Sequence, residues 1–524
     1  MAVVTKLTPQ IRAPHGNDPR AVERKLYLQD ARGQSGELAG GRNMKDMQHR
    51  LDGLFRGWQP IARLLDNGKT SRVVLVLILG AMGSLPLVIL TPPFQVPDEV
   101  QHFYRAYQLS EFHLRAEVQN GAAGGTLPSS LPQMVKASVY TSDGIAYPPT
   151  PAPITKTLQL KSIPLDPSTK QFVAFPGSAF YSPLPYLPQA LGIAVGRAMG
   201  AGPLLLLYLG RLGNCLSALA LLCLTVYFAP FAEEVFILAG LLPMSLYLYA
   251  SLSPDAAVIG CALAFTALSI AAGVQASRGT RELWLAAALA AVFCSVKPPY
   301  APIILAGVMP GLFRPGSALR VIRSTAILLG VALGATAGWL LYAKSTMTTP
   351  LSGTHPSQQI VLVLHHPIFL VRELLHILGI GSLVNLYVQG VGVFGWLTVL
   401  LRPAIVYVLP LVSVFLLWRL GVRGSQERSV ISALWYLALA FTSAALIVFT
   451  LYLWWAHVGQ DYAAGVQGRY FIPLLGLAGI GAIELAPRRR TSAAQWQTLL
   501  SIAVISVIEI VAMDTTIIRV FHVL

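Results

Sequence analysis

Charge is what this sequence has least of. Asp, Glu, Lys and Arg make up 12% of its 524 residues, against about 25% in an ordinary soluble protein, which excludes a water-soluble enzyme. Acidic residues are the scarcer sign, 23 against 38 basic, for a net charge of +15. In a soluble domain that excess would suggest nucleic acid. Here many of the cations fall in short loops between apolar segments, where they set topology, so no nucleic-acid partner is expected. Cysteine is scarce too: Cys215, Cys223, Cys261 and Cys294 all lie inside apolar runs, too scattered for a zinc pattern and badly placed for extracellular disulfides. Also missing are a Rossmann glycine fingerprint in a strand-helix context, a P-loop and an H-E-x-x-H helix, so no soluble nucleotide-sugar site is legible.

What is there is apolar. Hydrophobic residues reach 54% and the mean hydropathy is +0.61, more apolar surface than compact cores could hide, so the surplus must face lipid. The chain reads as an all-α polytopic membrane protein. Residues 1–71 are polar and basic and read as a cytoplasmic, mostly disordered tail with one short helix near 47–65. No signal-peptide pattern opens the chain, so the first span, about 72–90, is expected to stay as an anchor. Arg56, Arg63, Lys69 and Arg72 precede that span or open it and place the N-terminus in the cytoplasm.

Residues 72–524 are expected to form the transmembrane domain, with 91–203 as a first external loop. From Pro92 to Phe180 no run is long enough to cross a bilayer, and six acidic residues balance six basic ones, without the cytoplasmic charge excess. Loops this long are functional or disordered, and the aromatic content argues for function. Ten later apolar runs follow, at 204–228, 235–251, 256–275, 283–296, 299–313, 321–342, 404–418, 430–452, 470–484 and 499–520. With the first span they give about eleven helices, each near the length that crosses roughly 30 Å of hydrocarbon. Alternating sides then puts Arg278 with Arg281, Arg314 with Arg320 and Arg323, Arg419 with Arg423 and Arg428, and Arg488 to Arg490 in the cytoplasm. The agreement requires that the proline-rich 182–199 and the glycine-rich 377–400 do not cross. Both are placed on the external side as membrane-parallel or re-entrant segments, the second inside an external loop at 344–403.

The ionisable residues hardest to explain by packing then fall on the external face. Pro97-Asp98-Glu99-Val100-Gln101-His102-Phe103-Tyr104-Arg105 predicts a helix from Asp98, with Asp98 and His102, and Gln101 and Arg105, at i and i+4 on one face. The plain alternative is that Asp98 and Glu99 merely complete a helix N-terminus. Asp255, in Ser253-Pro254-Asp255, reads equally as a second functional acid or as a helix cap. Lys297 follows a span, Arg211 lies within the outer part of one, and Arg469 enters one. Ionisable residues at such depth default to a functional hypothesis, although Arg211 could also snorkel. Carboxylates beside fixed cations at a membrane surface suit transfer chemistry. A carboxylate takes the proton of an attacking hydroxyl, and Lys or Arg holds a departing phosphate. A divalent cation, Mg or Mn, on Asp98, Glu99 and Asp255 is left open.

The motifs Pro92-Pro93-Phe94-Gln95-Val96-Pro97-Asp98-Glu99, His102-Phe103-Tyr104-Arg105-Ala106-Tyr107, Tyr181-Ser182-Pro183-Leu184-Pro185-Tyr186, Ser253-Pro254-Asp255, Lys297-Pro298-Pro299-Tyr300, Phe394-Gly395-Trp396-Leu397 and Gln467-Gly468-Arg469-Tyr470 resemble the bacterial membrane-protein family DUF2142. That family looks like a branch of the GT-C integral-membrane glycosyltransferases. The resemblance implies a GT-C-like helical bundle with membrane-parallel helices in the first external loop, in the bacterial inner membrane. It implies a sugar donor on polyprenyl phosphate or diphosphate, and a glycan, lipid or protein acceptor on the periplasmic face. Asp98 would be the general base, Glu99 its neighbour or a metal ligand, and Asp255 the second acid. His102, Arg105, Arg211, Lys297, Arg469, Tyr181 and Tyr300 would serve substrate or lipid phosphate. Two other readings stand beside this one: a transporter or flippase of lipid-linked saccharides, which would favour polar groups at mid-membrane in matching halves, and a polysaccharide polymerase or ligase.

Overall fold

A helix needs about twenty apolar residues to cross hydrocarbon, and the computed structural model meets that need seven times. It describes residues 68–142, 145–146, 151–274, 279–347, 354–420, 429–460, 465–486 and 495–522. The expected tail with its helix at 47–65, and the cations Arg278, Arg423, Arg428 and Arg488 to Arg490, lie outside the described residues. The helices that matter here are α1 (Lys69–Leu90), α2 (Glu99–Ser110), α3 (Leu187–Ala198), α4 (Pro203–Phe228), α5 (Asp255–Val274), α6 (Thr280–Val296), α7 (Ala318–Ala343), α8 (Val430–Trp455) and α9 (Gln495–Phe521). Among the described residues α1, α4, α5, α7, α8, α9 and the stretch Gly468–Leu485 are long and apolar enough to span. The protein is a mostly helical polytopic membrane protein.

All eleven apolar runs are helical, but four fall short of an unbroken span for identifiable reasons. Pro243 lacks the donor that would continue a helix, so 235–251 divides into Glu233–Leu241 and Pro243–Tyr249. Pro298, Pro299 and Pro302 hold the next segment as a 3₁₀ helix, Pro298–Gly307, before Val308–Leu312. The run at 404–418 opens with a π turn, Ala404–Val408. Helix α6 has 17 residues, about 26 Å at 1.5 Å per residue. Its start is fixed where the Gly279 N–H donates to the Glu282 carboxylate at 3.0 Å.

The expected external loop at 344–403 is more apolar in structure than its reading allowed. Pro356–His365 and Ile368–Leu378 meet at 98° and together would make an eighth span, or a re-entrant turn. Helix Ile380–Gly392 and the two-residue ladder of Val393–Phe394 with Val399–Leu400 follow. The segment 182–199 fits its reading better: α3 has 12 residues, about 18 Å, too short to cross.

The first loop folds on its own core. Strands β1 (Glu117–Gln119), β2 (Ala122–Pro128) and β3 (Lys170–Ala174) form an antiparallel sheet in the order β1-β2-β3. Beneath it Phe103, Tyr107, Leu127, Leu131 and Phe175 are fully buried in a cluster distinct from the helical core. This sheet was not expected from the sequence, because Ala122-Ala123-Gly124-Gly125 carries no alternating β-branched pattern. Helix α2 is the floor of this unit, and its N-terminus points the Pro97-Asp98-Glu99 turn back at the bundle.

Candidate functional site

Asp98 is not an ordinary helix cap. It precedes α2 with φ +62° and its side chain makes no capping hydrogen bond, although aspartate is among the residues most favoured as helix caps. Phe94, four residues earlier, is also left-handed at φ +67°. Such residues persist only where their surroundings hold them, and the holders are visible. The Trp396 indole N–H donates to the Phe94 carbonyl at 2.9 Å. The Tyr247 hydroxyl donates to the Gln95 carbonyl at 2.8 Å and accepts from the Gly395 N–H at 3.1 Å. Arg211 donates to the carbonyls of Val88, Thr91 and Pro92 at 3.1, 2.6 and 3.0 Å. The Phe394-Gly395-Trp396 motif therefore shapes a turn three hundred residues upstream.

Neighbours Asp98 and Glu99 are turned to different tasks by that backbone. Glu99 faces inward and takes two hydrogen bonds from Arg211, at 2.8 and 2.6 Å, with no exposure of either side chain. It also accepts the N–H groups of Phe94 at 3.0 Å and Leu252 at 3.3 Å. Both oxygens are thus committed, so Glu99 and Arg211 tie the loop to the bundle and do not face a substrate. Arg105 is likewise buried, donating to Gln108 at 2.6 Å and to the carbonyls of Leu114 and Tyr181 at 2.7 and 3.2 Å. Asp98 faces outward, its side chain 47% exposed.

Asp98 opens onto a cavity of about 370 Å³ lined also by His102, Tyr181, Asp255, Lys297, Tyr300, Arg469 and Tyr470. One wall is apolar, built from Leu340 of α7 and Ile447, Leu451, Trp454 and Trp455 of α8. Asp255 opens α5, where the helix dipole favours its charge, but its carboxylate does more than cap. One oxygen is hydrogen-bonded by Lys297, which follows α6, and the other lies 3.2 Å from Arg469 Nε. Arg469 Nη2 lies 3.8 Å from the Asp98 carboxylate. The Tyr470 ring sits 4.2 Å from the Lys297 ammonium, and Tyr300 fixes that segment by donating to the Tyr470 carbonyl at 2.7 Å. Two acids and two cations, drawn from a stretch of more than three hundred residues, thus form one ionic cluster.

His102 is in the cavity as a neutral group. Burial lowers its pKa to about 4, with Arg469 and Lys297 adding to the shift and Asp98 and Asp255 opposing it. It is therefore a hydrogen-bonding group and not a cation for phosphate. The Tyr186 hydroxyl lies 2.8 Å from His102 Nδ1, and burial holds the Tyr186 pKa well above its ordinary value. That hydroxyl has no other acceptor among the described residues, so it donates to Nδ1 and leaves the proton on Nε2. Tyr186 was quoted in a motif without a site role; only the tertiary contact reveals it. Tyr470 was missed for the same reason.

The residues do not fit a divalent cation. The Glu99 oxygens are occupied by Arg211, Asp255 is held between two cations, and no group of three or more His, Cys, Asp or Glu is placed to bind a metal among the described residues.

The profile of one family, described as "Predicted membrane protein (DUF2142)", matches residues 82–478. The chain belongs to that family. The DUF2142 region contains the whole cluster from Asp98 to Arg469 and leaves out the tail and α9. Among curated proteins and among solved structures, nothing matches the chain.

Proposed function

We propose that this DUF2142 protein is an inverting glycosyltransferase of the GT-C kind. It would take a sugar from a polyprenyl-phosphate or polyprenyl-diphosphate carrier and pass it to a glycan, lipid or protein acceptor on the periplasmic face of the bacterial inner membrane. The observation that carries the reading is the placement of Asp98. It is a half-exposed carboxylate held in a strained turn, facing a cavity that Lys297 and Arg469 also line, with Arg469 Nη2 3.8 Å away.

In the reaction, an acceptor hydroxyl gives its proton to Asp98 as its oxygen bonds to the anomeric carbon. The bond from that carbon to the carrier phosphate breaks, and the phosphate leaves with the electron pair. Arg469 and Lys297 stabilise the charge gathering on the departing oxygens. Asp255 is a positioning residue that holds both cations. His102, neutral and carrying its proton on Nε2, donates to substrate oxygen. The apolar wall with Trp454 and Trp455 suits a carrier that arrives from the bilayer. A single displacement inverts the anomeric centre. Short α3 supports the reading, as GT-C enzymes carry membrane-parallel helices in this loop, and the external side follows from the distribution of cations between loops.

The test is transfer by the full chain in lipid nanodiscs, given labelled polyprenyl-linked sugars and a cell-envelope extract. Transfer by the wild type that is lost in Asp98→Asn supports the proposal. No transfer by the wild type, or equal transfer in Asp98→Asn, removes it.

A further inference from the structure

A second cavity, of about 530 Å³, lies on the other side of the Gly468–Leu474 turn from the ionic cluster. Arg469 and Tyr470 face one cavity, while Gly468, Phe471 and Ile472 face the other. Its lining is apolar except for Ser413, Ser506, Tyr387 and Glu509, and among the described residues it contains no Lys, Arg or His. Glu509 stands near the middle of α9 and is 5% exposed. No hydrogen bond or ion pair joins its carboxyl to another side chain or to backbone among the described residues. Tyr387, the aromatic hydroxyl in the lining, is already spent on the Val406 carbonyl at 2.6 Å.

An acid at that depth without a partner is costly, so its occupant must supply what the protein withholds. A phosphate or carboxylate amphiphile would bring an anion into a lining whose described residues hold no cation to balance it. A hydrocarbon leaves the acid unsatisfied. An ammonium forms a charge-assisted hydrogen bond, which is strongest where the surroundings are apolar. The route of entry points the same way: the wall residues Leu378, Leu383, Val414, Phe441 and Leu475 are exposed apolar side chains, and Phe441 and Leu475 lie on segments long and apolar enough to span, so a ligand that enters past them has an apolar body. We infer that this cavity binds a lipid-soluble amine, with its chain among the apolar side chains and its ammonium on Glu509. The site is separate from the proposed transferase centre and does not depend on it.

Radiolabelled dodecylamine and dodecanol are the probes, offered to the full chain in phosphatidylcholine nanodiscs with empty discs as background. The wild type is expected to bind the amine about tenfold more tightly than the alcohol. Glu509→Gln should abolish that preference and leave dodecanol binding unchanged, and Asp98→Asn should keep the preference. Ala444→Trp, which fills the cavity, should lose both ligands, and it serves if Glu509→Gln does not fold. Equal binding of amine and alcohol by the wild type, an intact amine preference in Glu509→Gln or in Ala444→Trp, or its loss in Asp98→Asn would each overturn the assignment.

Discussion

The Glu99 carboxylate and the Arg211 guanidinium meet in two parallel hydrogen bonds, at 2.6 and 2.8 Å, where neither side chain touches solvent. Removing one partner leaves the other charge buried alone. Glu99→Ala and Arg211→Ala should each destabilise the protein by about 3–5 kcal/mol, the cost of breaking a buried pair. Thermal unfolding in nanodiscs reads this, and Asp98→Asn in the same assay should unfold within a degree or two of wild type, because Asp98 is half-exposed and holds no cap.

Trp396→Phe keeps the ring and deletes the donor to the Phe94 carbonyl. Stability should fall by about 1 kcal/mol, while the transfer rate falls further, since the Asp98 turn is no longer held. A rate loss no larger than the stability loss predicts would remove the positioning role of Trp396.

Gly468 admits no side chain. A Cβ there would come within 1.9 Å of the Leu386 carbonyl oxygen and 2.4 Å of the Gly390 nitrogen, both backbone. Gly468→Ala should displace the following Arg469 and cost about 1–3 kcal/mol, with transfer impaired. Wild-type kinetics in that variant would show that the turn has slack.

Sequence reading reached the parts of this arrangement that rest on spacing and charge. The apolar runs are helices, and Asp98, Asp255, Lys297 and Arg469, picked out because they sit at span boundaries, share one cavity. It missed what rests on backbone conformation. Asp98 and Glu99 looked like a pair because they are adjacent, and only a left-handed residue, which no sequence period encodes for aspartate, sends them to opposite sides. Arg211 was assigned to substrate because burial at depth suggests function, whereas its partners are loop carbonyls and Glu99. The breaks at Pro243 and at Pro298 to Pro302 were not legible because hydropathy averages over the prolines that cause them.

The pH dependence of His102 has a definite sign. Its pKa is about 4 in the folded protein against 6.5 as the model-peptide value, so between those values the unfolded chain binds the extra proton. Stability from this group is unaffected above pH 6.5 and declines as pH falls to 4, by about 3 kcal/mol in all. The unfolding midpoint should therefore drop less steeply over that window in His102→Asn than in wild type.

Tyr186→Phe removes the hydroxyl that fixes the His102 tautomer. The turnover rate should fall about tenfold, as when the partner that orients a working imidazole is lost, with the KM for the lipid donor unchanged. A change in KM alone would assign Tyr186 to packing.

The turn that carries Asp98 is made early in synthesis, yet the groups that shape it come from residues 211, 247 and 395–396. A nascent chain that has emerged only as far as the fourth helix has its acid but cannot aim it. The geometry around Asp98 is thus a report on assembly: the carboxylate is set in place only after three-quarters of the protein has been inserted, and partly built chains in the membrane carry the residue without its setting.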